Sequence, residues 1–186
     1  MTKKIFNRIR DVLLSPTEFW KSVKEENLLP LKLLAGYFIP FVAIASLAVF
    51  IGTWFSSAHF YVGFALLKSL RELILFILFV YISIIILNSL APLFEGKKNL
   101  PVVHGLVIYS LTPFLIVSIV TGFFPGLYII NVLGLYGVWI LRIGIKELDF
   151  IPERKQAGFI AVSVLLCLFV LGFLSVILWK IFTFFY

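Results

Sequence analysis

Five stretches of this chain, each about 20 residues or longer and nearly free of charge, limit what it can fold into. A helix rises 1.5 Å per residue and the hydrocarbon core of a bilayer is about 30 Å thick, so roughly 20 apolar residues make one crossing. The stretches run from Leu31 to Phe55, Lys68 to Leu90, Val102 to Phe124, Leu127 to Lys146 and Ala157 to Phe182. Hydrocarbon offers no partner to a bare backbone N–H or C=O. The runs are also too long and too unalternating for barrel strands, so each is expected to be helical. The expected fold is all-α: a polytopic five-helix transmembrane bundle over residues 30–186, preceded by amphipathic helices in residues 1–29. Composition agrees, at 62% hydrophobic against roughly 45–50% in soluble domains. No cleavable signal peptide is expected, because the first thirty residues are charged and the first apolar run is too long for one.

Direction follows from charge. An N-terminus in the cytoplasm places 13 of the 16 basic residues on that side and leaves only Lys68, Arg71 and Lys180 opposite. Basic residues gather at cytoplasmic membrane flanks, so the expectation is N-terminus in and C-terminus out. The net charge of +7 then reads as orientation and attraction to anionic lipid rather than nucleic-acid binding.

Ahead of the first run, "KKIFNRIRDVLL" spaces Ile5, Ile9, Val12 and Leu13 along one helical face, with Lys4, Arg8 and Asp11 on others. Two placements suit it: lying in the membrane interface with Lys4 and Arg8 on lipid phosphates, or packing on the inner end of the bundle. "SPTEFW" then carries a helix start. Ser15 suits the N-cap, Pro16 the first turn and Glu18 a capping box. That second helix should reach about Glu26, with Trp20 suited to the water–lipid boundary as a membrane-lying anchor; a docking surface for a partner is the alternative.

Within the third run, Pro113 cannot donate to the Tyr109 carbonyl, and Pro40 in the first cannot donate to that of Gly36. Each should bend its helix. Ser110 and Thr112 are placed to satisfy freed carbonyls, which implies that the kinked face points into protein. In the fourth run Asn131, Gly134, Gly137 and Gly144 share roughly one face, where another helix can approach closely and Asn131 should find a partner.

Signatures of catalysis are missing: the sequence holds no HExxH, G-x-S-x-G, Walker or dinucleotide loop. His59 and His104 fall near opposite membrane faces, and the lone Cys167 has no second cysteine to pair with. No cofactor and no metal site is expected.

"LLSPTEFWKSV" before the first run, "IYSLTPFLI" in the third and "NVLGLYGVWILRIGIKEL" in the fourth occur in an order that resembles the Yip (Ypt-interacting protein) domain family in its compact bacterial form. The resemblance spans about Ile9 to Phe184 and implies five membrane helices, a cytoplasmic N-terminus and an opposite C-terminus, in a bacterial inner membrane. Eukaryotic relatives are associated with Rab-type GTPases and vesicle traffic, but their long N-terminal region and D-L-Y-G-P motif are not found here. The resemblance therefore implies a fold more than an activity.

Two functions follow as expectations. One is a non-enzymatic scaffold or adaptor that meets lipids or proteins, a second copy of the chain included, at its cytoplasmic face. The other is a small channel or transporter whose path runs beside Tyr109, Ser110, Thr112, Pro113 and Asn131.

Overall fold

A computed structural model describes residues 2–26, 29–56 and 61–184, except for the side chains of residues 2–4 and 183. His59 lies outside the described residues. Helices α1 (Thr2–Leu14) and α2 (Pro16–Glu25) precede five spans: Pro30–Ser56, Val62–Phe94, Leu100–Phe123, Pro125–Glu147 and Glu153–Phe182. No strand occurs among the described residues. The expected class stands, and the second span begins six residues earlier than the apolar pattern suggested.

Both prolines are accommodated by a change of helical register. Leu34–Phe38 is π-helical, and the Ile39 N–H reaches back to the Leu34 carbonyl, so the wide turn absorbs the bond that Pro40 cannot make. The third span breaks at Leu111, whose N–H still bonds Val107 O at 3.1 Å. A new helical segment then starts at Thr112, leaving Pro113 in a first turn where no N–H is needed. Leu115 N–H closes that turn on Leu111 O at 2.9 Å.

Hydrocarbon supplies no hydrophobic drive between helices, so close backbone approach decides which spans pair. Gly52 in the first span meets Gly122 in the third so tightly that a Cβ on Gly52 would overlap the Gly122 carbonyl oxygen. Ser46 Oγ donates to Ser69 O at 2.8 Å and ties the first span to the second. In the fourth span Gly137 lies against the Ser110 carbonyl and Gly134 against the Phe114 ring, so both glycines face the kink of the third.

Two sequence expectations are corrected. The Ser15 hydroxyl makes no capping bond, and α2 relies on Pro16 in its first turn and on Phe19 N–H bonding Ser15 O at 2.9 Å. Asn131 is exposed and its side chain makes no hydrogen bond to another described residue, in a 3-10 segment, Pro125–Leu135, with no buried residue.

Candidate functional site

Helices α1 and α2 pack against one end of the bundle. Val12, Phe19 and Val23 are buried, and Trp20 is 0% exposed. Trp20 Nε1 donates to the Ile140 carbonyl at 3.1 Å, and its ring fills the space that Gly144 leaves: a Cβ there would stand 2.6 Å from it. Trp20 is therefore no lipid-boundary residue. A tryptophan near a span end looks the same in sequence whether its ring faces lipid or a glycine of a neighbouring helix. Gly144 belonged to the small-residue stripe, but nothing local tied it to α2.

Tyr109 is the centre of this docking. Its ring lies 4.8 Å from that of Phe19, 5.3 Å from Tyr37 and 5.8 Å from Trp20, all edge-on, which is a favoured aromatic geometry. Arg8 sits over the same ring at 5.8 Å, donates from Nη1 to the Tyr109 hydroxyl at 2.8 Å and pairs with Glu26. Burial works against the Arg8 charge; Tyr109 and the Glu26 carboxylate outweigh it and raise its pKa above the usual guanidinium value. Arg8 thus holds α1 to the third span rather than reaching for lipid phosphate. The Lys4 side chain lies outside the described residues. Tyr136 adds another tie, its hydroxyl donating to Leu13 O at 3.0 Å.

The Ser110–Pro113 stretch follows a different pattern from the one expected. Thr112 is fully buried and shares a 2.9 Å hydrogen bond with the Tyr37 hydroxyl, so it ties the third span to the first instead of capping a freed carbonyl. Ser110 Oγ has no hydrogen-bond partner. It opens on an apolar groove of about 400 Å³ between the second, third, fourth and fifth spans, which Asn131, Gly134 and Gly137 also line. Three of the four stripe residues thus line one groove, while Gly144 faces Trp20 instead.

At the end that carries α1 and α2, a cleft of about 710 Å³ opens between α2, the 94–99 connection and the 147–153 connection. Its walls hold both signs of charge, including Lys24, Lys97, Lys146, Glu95, Asp149 and Glu153. Lys24 Nζ meets Asp149 at 2.5 Å, while Arg154 and Lys155 meet Glu95 at 3.1 and 3.4 Å. Asn99 caps the third span through Val102 N–H and donates its own N–H to Asn88 at 3.1 Å, which fixes the rim. No group of three or more His, Cys, Asp or Glu among the described residues is placed to hold a metal ion.

Five apolar helices with a second, short helical pair seated in one end define a polytopic membrane protein. The chain belongs to the Yip1 domain family, whose model matches residues 10–176. No curated protein and no solved structure matches it.

Proposed function

We propose that this protein is a non-enzymatic membrane scaffold, with its N-terminus in the cytoplasm, that binds a partner protein in the cleft beside α2. The observation that carries this reading is the attachment of α2 through Trp20 and Lys24, which makes the cleft walls one body with the spans. A rigid rim carrying both charge signs suits a partially charged protein segment better than a lipid sheet of one sign. The absence of a catalytic constellation in the sequence points the same way.

The transport reading draws less support. Around the kink, Thr112 is fully buried on Tyr37, Gly137 packs on the Ser110 carbonyl, and the groove beside Ser110 has mainly Phe, Leu and Val walls in which Ser83, Ser110, Asn131 and Ser163 are scattered. Ions crossing there would meet no continuous polar lining.

Photo-crosslinking in intact membranes tests the scaffold. A photoreactive residue at Lys97 is expected to give a discrete protein adduct that the Lys146→Glu variant weakens at least several-fold, whereas one at Phe173 on the lipid side gives none. Equal adducts at both positions, or an adduct indifferent to Lys146→Glu, would remove the cleft from the account.

A further inference from the structure

The opposite end of the bundle carries a second charged site. Arg71 on the second span and Ser175, Trp179 and Lys180 on the fifth line a pocket of about 280 Å³. Depth follows from helix rise: Arg71 stands 24 residues from Glu95, and Lys180 stands 26 from Arg154, distances of about 36 and 39 Å at 1.5 Å per residue. Both exceed the roughly 30 Å of hydrocarbon. With Glu95 and Arg154 paired at one boundary, Arg71 and Lys180 reach the headgroup layer of the other.

The Arg71 guanidinium is only partly satisfied there. Nη2 meets Glu72 at 3.4 Å, long for a charge-assisted bond, and Nε is buried with no hydrogen-bond partner. A buried charged donor without an acceptor is costly, and a bound anion would relieve it. The lining of the pocket includes two cations, Arg71 and Lys180, and no carboxylate, which suits the negative charge of a phosphodiester. The charge bias expected of membrane proteins disfavours cations at this end, yet Arg71 and Lys180 both line the pocket.

We infer that this pocket binds the phosphate of an anionic membrane lipid in the leaflet opposite α1 and α2. Arg71 donates to the phosphate oxygens, Lys180 supplies the second charge and the Ser175 hydroxyl a neutral donor. Trp179, half exposed at the same level, lies beside the upper acyl chain as tryptophans at membrane boundaries do. The inference is independent of the cleft at the other end.

Native mass spectrometry of the full chain in detergent, titrated with phosphatidylglycerol or phosphatidylcholine, tests it. The unchanged protein is expected to retain phosphatidylglycerol at least tenfold more strongly than phosphatidylcholine. Arg71→Gln and, separately, Lys180→Gln should each abolish most of that preference, while Lys97→Gln at the other end leaves it intact. Each variant is first checked for an unchanged thermal midpoint, and the two substitutions on different spans guard against one failing to fold. Retention indifferent to both substitutions, an equal loss with Lys97→Gln, or displacement of the lipid by millimolar inorganic phosphate would overturn the assignment, the last by showing a free-anion site.

Discussion

Gly52→Ala is expected to cost the protein about 3 kcal/mol or more, at or beyond the upper end of the usual range for overpacked cores. Its new methyl group would overlap the Gly122 carbonyl oxygen and come within 2.9 Å of the Phe123 carbonyl oxygen. Both obstacles are backbone, which cannot rotate aside as a side chain can. The first and third spans must therefore separate along the contact. In hydrocarbon that loss is not recovered elsewhere, because lipid tails offer the separated faces no better packing than each gave the other. Equilibrium unfolding in mixed micelles reads the change. Gly172→Ala is the matched control: no atom lies within 4 Å of its added Cβ, and helix propensity favours alanine there by roughly 1 kcal/mol. Similar midpoints for the two variants would show that the first and third spans do not meet as described.

Trp20→Ala should cost roughly 3–5 kcal/mol, as large-to-small changes of buried aromatics do, and release α1 and α2 from the bundle. The substitution removes a fully buried ring from between Tyr109, Phe19 and Gly144 and takes from the Ile140 carbonyl its side-chain donor. The fourth span cannot close over the vacancy without losing its contacts of Gly137 on Ser110 and Gly134 on Phe114. Limited proteolysis of the membrane-embedded protein is the measurement, with cleavage within α1–α2 expected to accelerate at least tenfold. Trp20→Phe keeps ring contacts but loses the donor, so it should fall between the two. Unchanged protease resistance in Trp20→Ala would mean that Trp20 does not hold the helices down.

The five spans were legible because run length against hydrocarbon thickness is nearly all that a membrane helix needs, and their ends fall within four residues of the apolar pattern except at Val62, six residues before the expected start of the second span. Positions of the kinks were legible too, since a proline removes its bond wherever it stands. Their resolution was not: a π turn at Leu34–Phe38 and a restart at Thr112 depend on neighbours that free Tyr37 and Thr112 to bond each other. The glycine stripe was visible as small residues at helical spacing, while its partners differ: the Phe114 ring, the Ser110 carbonyl and Trp20. Two of those contacts join neighbouring spans, and the third reaches across 124 residues of sequence to α2, where periodicity carries no information. The same holds for Arg8. Its place on an amphipathic face suits lipid phosphate or Tyr109 equally, and only the folded chain brings the tyrosine hydroxyl within 2.8 Å.

The most direct measurement of the docked N-terminal pair is a cross-link between α2 and the connection that joins the fourth and fifth spans. Cysteines at Lys24 and Asp149, whose side chains meet at 2.5 Å, are introduced together in a Cys167→Ser background and treated with a short bifunctional thiol reagent in sealed membranes. The account predicts that one internal link forms quickly and nearly completely, and that Trp20→Ala suppresses it. Two singly labelled cysteines with no link between them, at any rate of labelling, would mean that α2 lies away from the bundle and that the cleft has no fixed wall.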